Sequence, residues 1–99
     1  MLLIRDIMYC KPGKVRPMVE KALAMAKLSE KKGMGKMRIL TDVSAERFWT
    51  IVMEVEAESL EAFMNMGSSS EDMKEMEAIM KGYHDLVEHG RREIYTIEG

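Results

Sequence analysis

Histidine is the side chain that changes charge near neutral pH, and this chain has two, His84 and His89. His84 follows Tyr83 on an apolar stripe, which makes it the candidate general acid or base. Asp6 lies inside the apolar run from Leu2 to Cys10. A carboxylate there needs a cationic partner, such as Arg5, Arg38 or Arg92, or else faces a cavity. Trp49, Tyr95 and Tyr9 offer flat apolar surface and phenolic hydroxyls. Together these types suit a small aromatic or carbonyl compound, which needs stacking and proton transfer. The expected site therefore has His84 and Asp6 in catalytic roles and Trp49, Tyr95 and Tyr9 against the substrate. The plain alternatives are a helix histidine partly in water and an aspartate in a structural ion pair.

Other chemistries find little support. His89 reads as a helix C-terminal residue facing the dipole. The two histidines are five apart, on different helix faces, so no shared metal site is expected. Cys10 has no histidine reliably placed beside it and is a weak nucleophile. No glycine-rich phosphate loop, serine elbow or cysteine pair occurs. Twelve methionines are unusual. Met64 and Met66 have copper-like spacing, but Met73, Met76 and Met80 lie at the helical spacing of a core stripe. Packing is the expected role of these side chains. No cofactor and no metal are expected.

The 99 residues suit a single domain, 1–99. A formal charge of −2, with both signs interleaved, gives no general attraction to nucleic acid or anionic lipid. No apolar run approaches the ~20 residues that span a bilayer, and the N-terminus lacks a signal-peptide pattern. One cysteine allows no internal disulfide, so a reducing, cytoplasmic location is expected.

The elements that must position the site follow from periodicity. Residues 2–10 read as a strand with Leu2, Ile4, Asp6 and Met8 on one face and Leu3, Arg5, Ile7 and Tyr9 on the other. Lys11-Pro12-Gly13 ends it. Val15, Met18, Val19, Ala22, Leu23 and Ala26 then mark one helix face, with Pro17 in the first turn and Lys31-Lys32-Gly33 at the end. Residues 35–41 and 46–57 read as a hairpin. Its second strand has Trp49, Ile51, Met53 and Val55 on one face and Phe48, Thr50 and Val52 on the other, with Glu54 and Glu56 running into solvent. Ser59 starts a short helix, and Gly67 to Ser70 break it. Ser70 opens a second segment carrying Met73, Met76, Met80, Tyr83 and Val87, with a bend at Gly82 and an end at His89-Gly90. Arg91–Glu98 forms the last strand. Both sheet faces are partly apolar, so something must cover the second one.

The order βαββαβ is the ferredoxin-like split βαβ arrangement. With the strand followed by Lys11-Pro12-Gly13-Lys14-Val15, the long helix, the hairpin and the broken second helix, the whole chain resembles the dimeric α+β barrel superfamily. That group includes NIPSNAP-like and antibiotic-biosynthesis monooxygenase-like domains. The resemblance implies an α+β fold with a four-stranded antiparallel sheet, two such sheets packing face to face in a homodimer. It also implies a cleft between each sheet and its helices, used in such proteins for cofactor-independent polyketide oxidation, haem degradation or small-acid chemistry. Haem-degrading members place an Asn on the first strand, then a Trp and a His on the second helix. Here Asp6 replaces the Asn, Glu58-Ser59-Leu60 has no Trp, and Met73-Lys74-Glu75-Met76-Glu77 has no His, so that activity is not expected. Two functions stay open: a small-molecule enzyme resembling the monooxygenases, or a non-catalytic ligand-binding or structural homodimer.

Overall fold

The computed structural model describes residues 1–66 and 68–99. In chain order it contains β1 (Leu2–Cys10), α1 (Val15–Lys31), β2 (Met37–Thr41), β3 (Thr50–Ala57), α2 (Leu60–Asn65), α3 (Ser70–Met80), a single 3₁₀ turn at Tyr83–Asp85, and β4 (Val87–Thr96). The four strands form one antiparallel sheet in the order β2-β3-β1-β4. This is the ferredoxin-like α+β arrangement. Gly67, part of the expected helix break, lies outside the described residues.

The helices cover one sheet face. Met18 and Ala22 of α1 are fully buried against Ile51 and Met53 of β3 and Cys10 of β1. Burying such side chains contributes about 1.5–3 kcal/mol each for the large ones. Leu23, at the margin of the helix stripe, is exposed, and Met25 packs on this core instead. A second cluster of Ile4, Val55 and Ala57 receives Phe63 and Met66 from the α2 region. Ser59 and Ser69 cap the two short helices, each accepting a backbone N–H three residues on. The cap of α3 is thus Ser69, one residue before the expected Ser70.

Several element boundaries differ from the sequence reading, β2 starting at Met37 rather than residue 35 and β4 spanning Val87–Thr96 rather than 91–98. The hairpin's second strand begins at Thr50 rather than residue 46, because Trp49 has φ of 63° and cannot continue a strand. Residues 42–49 form a loop, and Trp49 belongs to it, not to a strand face. At the other end, α3 stops at Met80 and Gly82 turns the chain in the left-handed region with φ of 84°. Val87, His89 and Gly90 consequently lie in β4, and His89 stands opposite Tyr9. His89 is therefore not a helix C-terminal residue.

The second face of the sheet is covered in part by the chain itself. Ile7, Tyr9 and Val52 are buried there. Arg47 of the 42–49 loop lies over the Tyr9 ring at 4.5 Å, and Arg91 flanks the same ring. Glu54 does not run into solvent. It is buried with Arg38 Nη2 at 2.6 Å, and Arg5 Nε at 3.1 Å in an ion pair outside hydrogen-bond geometry. Two guanidinium groups offset the cost of burying that carboxylate. Ile94 and Ile97 are both exposed in the single chain, and Ile97 lies past the end of β4.

Candidate functional site

Asp6 and Met8 share the helix-facing side of β1, as strand alternation requires. With Met53 of β3 and Gly90 and Arg92 of β4 they floor a cavity of about 680 Å³. Met25 and Met80 wall it from the helices, and Tyr83 and His84 stand at the turn after α3. The volume lies within the range of small-molecule sites. Four methionine side chains give it soft, adaptable walls.

One polar group of the floor is already composed. Arg92 donates to Asp6 through Nε at 2.6 Å and through Nη2 at 3.2 Å. The hydrogen bond to Asp6 pushes the Arg92 guanidinium above its ordinary pKa, against the opposing effect of burial. Arg92 also lies over the Phe63 ring at 5.0 Å, which fixes its direction. Asp6 is thus the ion-paired residue that the sequence allowed, and Arg92 is the partner among the three candidates.

His84 is held by the turn that Gly82 makes possible. Its ring stacks beside Tyr83 with centroids 4.0 Å apart. The turn is anchored on both sides. Lys21 Nζ donates to the carbonyls of Lys81 at 2.6 Å and Ile79 at 3.4 Å, and the Lys11 N–H donates to the Leu86 carbonyl at 2.8 Å. His84 is exposed at the cavity rim, where an imidazole can exchange protons with solvent.

The remaining expected residues are elsewhere. Tyr9 and Tyr95 project from the opposite sheet face, since Tyr95 pairs with Leu3 and Tyr9 with His89. Tyr95 donates to Glu93 at 2.8 Å, which raises the phenol pKa and lowers that of the carboxyl. Trp49 lines a separate cavity near the start of α1. The structure therefore brings Asp6 and His84 to one cavity and leaves Trp49, Tyr9 and Tyr95 outside it. The sequence suggests a cleft lined by methionines and aromatic residues without singling out Tyr83 and these four methionines. The shared parity of Asp6 and Met8 was the available signal. Cys10 is buried, and desolvation, reinforced by Asp42, raises its thiol pKa away from nucleophilic use. Among the described residues no group of three or more His, Cys, Asp or Glu is placed to hold a metal ion, and no helix is long and apolar enough to cross a membrane.

No protein-family model matches the sequence. A comparison with curated proteins finds no significant match. Solved structures do match over the whole chain. A protein provisionally named an antibiotic biosynthesis monooxygenase from Deinococcus radiodurans superposes with a TM-score of 0.73 at 8% identity, covering 100% of this chain and 94% of that one. A second protein provisionally given that name, from Nitrosomonas europaea, has a TM-score of 0.73 at 14% identity and covers 100% of both chains. An uncharacterised NIPSNAP domain protein from Burkholderia xenovorans has a TM-score of 0.69 at 13% identity, covering 98% of this chain and 94% of that one. With β2-β3-β1-β4 order, a long first helix and a two-part second one, the chain shares the ferredoxin-like α+β fold of these solved structures.

Proposed function

We propose that this protein handles a small aromatic or carbonyl compound in the methionine-walled cavity, as a cofactor-independent, monooxygenase-like enzyme. The observation that carries the reading is the meeting of a titratable imidazole, His84, with the fixed Asp6–Arg92 pair around one 680 Å³ space. The methionines would hold a flat ring without specifying it closely, and His84 would accept a proton from an acidic C–H or O–H group. Because Arg92 already occupies Asp6, that carboxylate orients and balances charge rather than serving as the base. Replacing His84 by alanine should abolish turnover of hydroxylated aromatic ketones, read as loss of oxygen consumption, while ring binding by calorimetry persists. Equal turnover by His84→Ala would overturn the catalytic role.

One observation favours a second reading, a non-catalytic ligand-binding homodimer. Among the described residues no side chain hydrogen-bonds the His84 ring to set its orientation, which a general base usually has. Calorimetry that finds ring compounds binding without any turnover would select it.

The homodimer itself belongs to the proposal. Leu40 and Tyr95 are exposed on the sheet face opposite the helices, where Leu40 pairs with Val52 and Tyr95 with Leu3. Two such faces packed together would cover these groups and the Arg5–Glu54–Arg38 array. Light scattering at micromolar concentration should give about twice the chain mass of 11.4 kDa; a stable single-chain particle would remove the barrel.

A further inference from the structure

Trp49 is the one non-glycine residue with positive φ among the described residues. A bulky side chain there is strained and persists only where its surroundings over-determine it. Here they do. The Cys10 N–H donates to the Trp49 carbonyl at 2.8 Å, the Thr50 N–H donates to Asp42 Oδ1 at 2.9 Å, and the Thr50 hydroxyl donates to the Arg47 carbonyl at 2.8 Å. The bonds hold a conformation that leaves Phe48 83% and Trp49 44% exposed. Two neighbouring aromatic rings in water are costly unless something uses them.

These rings border a cavity of about 360 Å³ whose remaining lining is Val15, Arg16, Thr41 and Asp42. Arg16 is exposed and has no carboxylate within ion-pair distance among the described residues. A planar apolar wall beside a free guanidinium is the complement of an aromatic ring carrying a carboxylate. Asp42, also in the lining, supplies one negative charge, which disfavours a second anionic group on the same ligand. The site shares no lining residue with the cavity around His84.

We infer that Trp49, Phe48 and Arg16 form a second binding site, for a small aromatic monocarboxylate. The ring lies against Trp49 and Phe48, and the carboxylate pairs with Arg16.

Trp49 is the only tryptophan in the chain, so its emission reports on this site. Titration with benzoate should quench or shift that emission saturably, with Kd on the order of 1 mM for a single-ring ligand. Benzamide, of equal size and no charge, should bind at least about tenfold more weakly, and phthalate should lose affinity through Asp42. Arg16→Gln, a change on an exposed side chain, should reduce benzoate to the benzamide level. His84→Ala should leave the titration unchanged, which separates this site from the proposed reaction cavity. A linear, unsaturable quench, equal response to benzoate and benzamide, or loss of the response in His84→Ala would each overturn the proposal. The comparison of ligands needs no variant, so the test stands even if a substitution harms folding.

Discussion

Asp6 and Arg92 sit directly opposite each other on paired strands, and two donor–acceptor contacts of 2.6 and 3.2 Å join them across the cavity floor. Arg92 is half exposed, which limits the strength of the pair. Asp6→Asn should therefore cost about 0.5–1 kcal/mol in urea denaturation. A double-mutant cycle with Arg92→Gln should return a coupling of similar size. Strict additivity of the two changes would show that the pair contributes nothing.

Gly90 lies in the same floor, opposite Met8. A Cβ there would sit 2.7 Å from the Ile7 carbonyl oxygen and 3.2 Å from Met8 Cγ. The first neighbour is backbone and cannot swing aside. Gly90→Ala should push β4 from β1 and destabilise the protein by about 1–3 kcal/mol. Gly99→Ala, with nothing within 4 Å, is the matched control and should leave the denaturation midpoint unmoved.

Acid sensitivity should come partly from the contact between α1 and α3. Lys32 lies 3.1 Å from Asp72 and 2.9 Å from Glu75. Hydrogen bonding from Lys32, then from Ser69, lowers the Asp72 pKa below its ordinary 3.8, and Tyr95 followed by Arg91 lowers that of Glu93 below 4.5. A carboxyl depressed in the folded state adds stability above its unfolded pKa and loses it as pH falls toward the folded value. Stability should thus be level near neutrality and decline with pH below about 4.5. Lys32→Met should flatten part of that decline. An unchanged acid profile in Lys32→Met would assign the sensitivity elsewhere.

Deleting residues 91–99 should remove most of β4 and leave β1 as a bare edge. Arg92 would go with it, leaving Asp6 without its cation. Aggregation or loss of cooperative melting is expected, followed by turbidity and circular dichroism. A truncated chain that melts as the full one does would show β4 to be dispensable.

Most of the architecture was legible because alternation in residues 2–10 and the 3.6-residue stripe in α1 each admit one reading. The failures share a cause. Phe48 and Trp49 extend an alternating pattern in sequence, yet a positive φ at Trp49 ends the strand there. Val87 extends the helical stripe, yet Gly82 had already turned the chain. Backbone dihedrals at single residues leave no trace in periodicity. Asp6 and His84 could be named as candidates from their types. Their approach to one cavity depends on the turn after α3, and the exclusion of Tyr9 and Tyr95 depends on which sheet face the helices cover. Parity groups residues into faces without saying which face is which.

Lys21 of α1 and Lys32, which caps the C-terminus of α1, act on α3 at its opposite ends. Lys32 grips the first turns through Asp72 and Glu75, while Lys21 takes the last carbonyls. Contacts at both ends oppose lifting of the helix as a hinged flap. Breathing of the cavity is then left to the short turn around Gly82 and to rotamer changes of Met25 and Met80. Ligand size would be gauged by thioether side chains that refold around each guest, so the protein should tolerate variety in ring substituents yet show little backbone movement between its empty and loaded forms.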